Sequence, residues 1–214
     1  MPKVLKVIRG LSIFIMIVIY AMLVHHVNTS VTSTLLGVIL ALAPLFLLAL
    51  TFTAKTTHKL LGVLLILAFF LVAWLLLPTI KQHVALVFWM QDIGLMLILL
   101  VTFARTLQQG HKPLCVLFAE MINGGTLPIE HERYARNVTI AWVLFFAGMI
   151  VGSTLLFFFA QLATWSIFVN FLTLPLVALM FIVEYIVRRK VLVGLPTGNV
   201  LDAVRAYMNN SNRI

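Results

Sequence analysis

The sequence predicts an all-α, polytopic integral membrane protein of about six transmembrane helices, on three observations. Of the 214 residues, 63% are hydrophobic and 10% are charged, and the mean hydropathy is +1.13. A water-soluble core of this size has no room for so much apolar surface, so the excess faces lipid. The apolar residues fall into recurring runs that approach the roughly 20 residues needed to cross a hydrocarbon core. Basic residues punctuate those runs in an alternating way that fixes an expected orientation, with both termini in the cytoplasm.

The first run, Leu11 to Val27, follows Lys3, Lys6 and Arg9, as in a secretory signal peptide. No small-residue cleavage point follows His25 and His26, so a retained anchor is expected. The second run extends from Leu35 to Ala54 and the third from Leu60 to Leu77, joined by a basic link from Lys55 to Lys59 that includes His58. Pro44 removes one backbone donor inside the second helix and is expected to kink it, whereas Pro78 is expected to end the third. The fourth run, Val84 to Leu107, carries Gln91 and Asp92. The fifth, Val138 to Phe159, and the sixth, Trp165 to Val187, are so close that they form an antiparallel pair.

Fourteen of the 15 Lys and Arg residues lie on the side of the two termini, and only Lys81 lies on the other. The positive-inside rule thus gives N-in/C-in topology, and the +9 charge reads as a topology signal rather than a nucleic-acid footprint. Residues 1–190 form one transmembrane domain whose cytoplasmic loop, 108–136, contains an amphipathic helix over 113–122. In that helix Leu114, Leu117, Phe118 and Met121 share a face suited to the membrane surface, and Gly124 and Gly125 end it. Glu130 to Asn137 reads as a charged extension of the fifth span. Residues 191–214 form a cytoplasmic amphipathic tail, with Val200, Leu201, Val204, Tyr207 and Met208 on one side.

Asp92 is the sharpest single signal, because it lies several turns, roughly 12 Å, inside the fourth span. A carboxylate near a helix centre costs about 2.5–3.5 kcal/mol to insert, so a partner or a wet cavity is required. It serves either a functional site or as interhelical glue. Asn170 lies at similar depth on a sixth-helix stripe that includes Thr173, Val177, Phe181, Glu184 and Arg188. A hydrogen bond from Asn170 to Asp92 is expected, with Gln91, Trp89 and Trp165 around it and His25 or His83 at the outer mouth. Glu184 is expected to pair with Arg188 one turn later. Gly148 and Gly152 form a Gly-x-x-x-Gly pair, read as helix packing within the chain or as a homo-oligomer face.

Cys115 is the single cysteine, so no intramolecular disulfide exists, and it reads as a small buried apolar residue rather than a nucleophile. The six histidines include no i, i+4 pair on one span, so neither metal nor cofactor is expected. No P-loop, dinucleotide fingerprint, nucleophile elbow or acyltransferase His-Asp spacing occurs. The expectation is therefore a non-catalytic membrane protein.

Tyr134-Ala-Arg-Asn-Val-Thr-Ile-Ala-Trp142, Trp165-Ser-Ile-Phe-Val-Asn170, the stretch from Leu174 to Phe181, and Glu184-Tyr185 together resemble an uncharacterised bacterial inner-membrane family. That family is associated with gene clusters for aryl polyene pigments and fatty-acid-synthase-like pathways, and some members carry a ketosynthase label. The resemblance is clearest from Phe103 to Arg189. Ketosynthase chemistry needs a soluble thiolase-like fold with a Cys and two His, which Cys115 alone does not supply. The resemblance implies an inner-membrane accessory of lipid or polyene biosynthesis. Acyl carrier proteins are acidic, so the expected partner face carries Lys112, Arg133 and Arg136, with Glu184 and His131 nearby. Two alternatives are kept. One is a small transporter or flippase using Asp92 and Asn170, flexing at Pro44 and Pro175. The other is a membrane-bound acyl-transfer enzyme relying on His111, His131 and Glu130.

Overall fold

A computed structural model describes residues 2–30, 34–55, 59–123 and 125–192, and these form helices and turns with no strand among them. Side chains are described from Ile8 onward. The expected C-terminal amphipathic stretch from Asn199 to Asn209, and the positions of His58 and Gly124, lie outside the described residues.

The helices are α1 (Pro2–Thr29), α2 (Thr34–Lys55), α3 (Lys59–Gln82), α4 (Val84–Arg105), α5 (Leu114–Asn123), α6 (Ile129–Phe159), α7 (Leu162–Ile167) and α8 (Thr173–Val191), with a π-helical turn, Phe168–Leu172, between the last two. Among the described residues, six segments are long and apolar enough to cross a membrane: Ile8–Thr29, Leu35–Lys55, Lys59–Gln82, Val84–Arg105, Ile129–Phe159 and Leu162–Val191. Their side chains face outward on nearly every side. Along α3, Leu60, Leu67, Leu71, Trp74 and Leu75 are all at least 60% exposed. At about 25 cal/mol per Å² of apolar surface, such a helix is untenable in water and at ease in lipid. The architecture is that of a multi-pass membrane protein.

Two expectations about the helices are corrected, at Pro78 and in the sixth span. Pro78 does not end the third helix, which continues through it to Gln82. Only one ladder hydrogen bond is lost to a proline so near the helix end, and the remaining i→i−4 bonds persist in an apolar medium. The charged extension of the fifth span is helical and continuous with it. It is the first two turns of α6, which runs unbroken from Ile129 with Glu130 and Glu132 in its first turn against the positive end of the helix dipole. The sixth span is not one regular helix. Pro175 offers no N–H to Phe171, and just upstream the ladder widens by a residue: the Thr173 N–H bonds the carbonyl of Phe168, five residues back.

The chain divides into two compact units, one comprising Met1–Asp92 with Ser153–Thr173, the other Ile93–Gly152 with Leu174–Ile214. In the first unit, α2 packs along α3 through Phe46 against Phe69 and Phe70, with ring centroids 5.7 and 5.6 Å apart. Val24, Leu40, Ala41, Phe88 and Trp165 form its buried core. Gly37 allows a close approach there, since a β-carbon on it would lie 2.8 Å from Val27 and 2.9 Å from Val84. The break that Pro44 makes in the α2 hydrogen-bond ladder is stitched by two other helices. The Leu40 carbonyl, left without its ladder donor by Pro44, accepts from the Tyr20 hydroxyl at 3.2 Å. The next carbonyl, Ala41, accepts from the Gln91 side-chain amide at 2.6 Å.

In the second unit an aromatic cluster of Phe103, Trp142, Phe145, Phe146 and Phe181 joins α4, α6 and α8, with Trp142 and Phe181 centroids 4.8 Å apart. The α5 helix begins one residue later than expected, after Pro113, whose carbonyl receives the Val116 and Leu117 amides. Val116 is fully buried, while Leu117, Phe118 and Met121 face outward. The turn before it passes through Gly110 at φ +86°, a left-handed conformation suited to glycine.

Candidate functional site

Polar side chains gather at one place in each unit. In the first unit, Asp92 near the middle of α4 is met by Ser153 of α6. The Trp165 indole N–H donates to the Ser153 hydroxyl at 3.1 Å, and that hydroxyl donates to the Asp92 carboxylate at 2.6 Å. Ser153 and Trp165 are 1% and 0% exposed, so neither has water as an alternative partner. Trp165 is braced by Phe157 edge-on at 5.1 Å, and Phe157 in turn stacks on Trp89 at 5.4 Å.

The neighbouring residue, Ser166, anchors a second polar knot. Its hydroxyl lies 3.0 Å from His25 Nδ1, 3.1 Å from Asn170 Nδ2 and 3.4 Å from Asn28 Nδ2. Both amides donate, which fills the oxygen's lone pairs and directs its own proton to His25 Nδ1. Asn170 also donates to the Ser166 carbonyl at 2.9 Å. The expected bond between Asn170 and Asp92 is thus replaced: Ser153 holds Asp92, and Asn170 turns to its own helix. The physical reason is the π turn, which contains Asn170 and breaks the regular stripe on which the expectation rested. Gln91 and Trp89 flank Asp92 in sequence, but Gln91 serves the α2 break. The Trp89 Nε1 and Asn28 Oδ1 atoms are buried without a hydrogen-bond partner among the described residues.

The second unit holds a cavity of about 140 Å³ between α5, α6 and α8. Its apolar wall includes Ile122, Ala135, Val138, Trp142 and Phe181, and its polar lining includes Cys115, Asn123, His131, Tyr134, Glu184 and Arg188. The Tyr134 hydroxyl donates to the Glu184 carbonyl at 3.1 Å and also lies 3.4 Å from the Glu184 carboxylate. Arg188 Nε is 3.6 Å from that carboxylate, the i, i+4 pair expected from the sequence. Thr139, fully buried, accepts the Cys115 backbone N–H at 3.2 Å and donates to the Ala135 carbonyl at 3.0 Å, fixing α5 to α6. Burial pushes the Cys115 thiol above its ordinary range, with the Glu184 charge adding to the effect and a Thr139 contact opposing it. His131 is 4% exposed, and its imidazole forms no hydrogen bond among the described residues.

The expected basic face is altered in one respect. Lys112 is engaged by Glu120 at 2.8 Å, an ion pair that raises the lysine's proton affinity and uses its charge locally. Arg133 and Arg136 are exposed on α6, next to exposed Glu130 and Glu132. His111 is exposed before α5, away from the cavity lining. Gly148 is exposed, with nothing among the described residues within 4 Å of where a β-carbon would sit. Among the described residues no three His, Cys, Asp or Glu side chains are placed to hold a metal ion.

Sequence reasoning missed Ser153, Ser166, Thr139 and Tyr20. Ser153 directly follows Gly152 in an apolar run, and Ser166 lies four residues before Asn170, so both were visible as isolated hydroxyls within helices. Compared with protein-family models, curated proteins and solved structures, the chain matches none.

Proposed function

We propose that this chain is a bacterial inner-membrane accessory protein of a lipid- or polyene-type biosynthetic pathway, holding soluble acidic carrier proteins at its cytoplasmic end. One observation carries the reading. In the second unit the C-terminus of α4 carries Arg105, the start of α6 carries Arg133 and Arg136, and the end of α8 carries Arg188, Arg189 and Lys190, with Arg188 lining the cavity. Contacts tie these ends together: Phe103 with Trp142, Leu114 with Thr106, and Tyr134 with Glu184. Of these cations, Arg188 alone forms an ion pair among the described residues. A cationic end of this kind attracts an acidic partner and accelerates its encounter. The positive-inside distribution supports placing it in the cytoplasm with both termini, and the outward Leu117, Phe118 and Met121 support α5 lying on the membrane surface.

The test is a pull-down of acyl carrier protein by the detergent-solubilised chain. Arg133→Glu with Arg136→Glu reduces recovery strongly and removes its salt dependence. Recovery equal to the wild type sinks the docking reading.

The two hydroxyl-centred knots of the first unit favour a second reading, a small transporter or flippase with Asp92 as its intramembrane polar group. Asp92→Asn then abolishes movement of an acyl product across the membrane at unchanged protein abundance. Undiminished movement removes this alternative.

A further inference from the structure

The cavity in the second unit has a polar side chain, His131, that forms no hydrogen bond among the described residues. Tyr134, Glu184 and Arg188 satisfy one another. His131 does not join them, although it is 4% exposed and lines the same space. Its ring nitrogens are therefore available to a ligand that enters the cavity. The neutral imidazole offers one donor and one acceptor. The Trp142 and Phe181 rings line the same space, with Ile122, Ala135 and Val138 completing an apolar wall.

We propose that this cavity binds the carbonyl end of an acyl chain, with the acyl oxygen accepting a hydrogen bond from His131 and the first few carbons packed against Trp142 and Phe181. The size decides how much of the ligand enters. An engineered cavity of about 150 Å³ accommodates benzene, so about 140 Å³ here takes a head group and a short stretch of chain, not a whole tail. The rest of the tail leaves along apolar surface, which the outward Leu117, Phe118 and Phe181 supply. The charges fit an acyl carbonyl as well as a carboxylate, because Arg188 and Glu184 already offset each other. The site stands whether or not a carrier protein docks nearby, since a free fatty acid and a carrier-bound acyl group present the same chemistry.

Cys115 reports on this space selectively, because it is the chain's only cysteine and it lines the cavity. The experiment follows N-ethylmaleimide labelling of Cys115 in the full-length chain in nanodiscs, with added dodecanoate, dodecanoyl-carrier protein, unloaded carrier or dodecane. Dodecanoate slows labelling in a saturable way. His131→Phe, which keeps the ring but removes both nitrogens, raises the concentration needed for half-protection about tenfold, the equivalent of one hydrogen bond. Protection by dodecanoyl-carrier but not dodecanoate assigns the site to a delivered acyl group, whereas protection by unloaded carrier alone reports docking and overturns the acyl site. Equal protection by dodecane, or an unchanged His131→Phe curve, also overturns it. A second measurement covers a misfolded variant: diazirine-bearing dodecanoic acid is cross-linked to the wild type and mapped by mass spectrometry. Adducts concentrated on cavity-lining residues support the site. Adducts spread equally over outward positions such as Leu144 and Leu155 overturn it.

Discussion

Replacing Ser153 with Ala removes a single hydroxyl that holds two partners. The Trp165 indole N–H loses its acceptor at 3.1 Å and the Asp92 carboxylate loses its donor at 2.6 Å. Hydrogen bonds between membrane helices average about 0.6 kcal/mol and reach about 1.7, and bonds to a charged acceptor are roughly twice as strong as neutral ones. The Trp165 bond therefore contributes about 0.6 kcal/mol and the Asp92 bond about 1.2–1.7. Their sum, about 2 kcal/mol, is the expected loss of stability. Ser153 is 1% exposed, so water does not readily replace the lost donor. The assay is reversible unfolding in mixed micelles of rising denaturing-detergent fraction, followed by near-ultraviolet circular dichroism. A cycle with Trp165→Phe divides the total, because that variant breaks only the weaker bond, and the two changes couple by about 0.6 kcal/mol. A Ser153→Ala loss below about 0.5 kcal/mol, or strict additivity in the cycle, refutes the chain from Trp165 through Ser153 to Asp92.

Three further outcomes follow from the geometry. Gly37→Val drives a β-carbon into Val27 and Val84 and lowers stability by about 1–3 kcal/mol, measured in the same micelle titration; a neutral result refutes the close approach at 2.8 and 2.9 Å. Tyr20→Phe costs about 0.5–1.5 kcal/mol, and less in a Pro44→Ala background, where the residue-44 N–H restores the ladder to the Leu40 carbonyl; an identical cost in both backgrounds refutes the stitched break. Because burial raises the Cys115 thiol, maleimide labelling of the folded protein lags that of a surface thiol near pH 8.5 and continues to rise at higher pH. The corresponding stability term is present below the ordinary thiol pKa and is lost as pH rises through the elevated one.

Most of the helix inventory was legible in the sequence, because a lipid solvent makes each span an apolar run of nearly fixed length. The basic clusters added an expected orientation, read without any packing detail. What escaped was anything set by phase. The stripe that joined Asn170 to Glu184 assumed a constant 3.6-residue period, and the extra residue of the π turn above Pro175 breaks that assumption. Asp92 was legible as a group needing a partner, but the choice of Ser153 over Asn170 rests on which side α6 turns toward α4, which no local pattern encodes. The cavity was legible only in fragments. Glu184 with Arg188 follows from i, i+4 spacing, while Cys115 joins them because Thr139 pins α5 against α6, and Tyr134 and His131 because Trp142 on Phe181 packs α6 against α8. Lys112 shows the reverse case, a residue whose charge looked free until Glu120, eight residues on, claimed it.

The stitched break in the α2 ladder carries a consequence for biogenesis. A chain emerges from its N-terminal end, so α1 and α2 enter the bilayer before α4 exists. Tyr20 can therefore cover the Leu40 carbonyl as soon as the first two helices meet, whereas the Ala41 carbonyl waits for Gln91, 50 residues later. Until then the break lacks its second tie. The order of synthesis thus becomes an order of locking: a gap closed first from behind by a phenol and last from ahead by an amide, with Asp92 brought into the bilayer by the same helix that completes the lock.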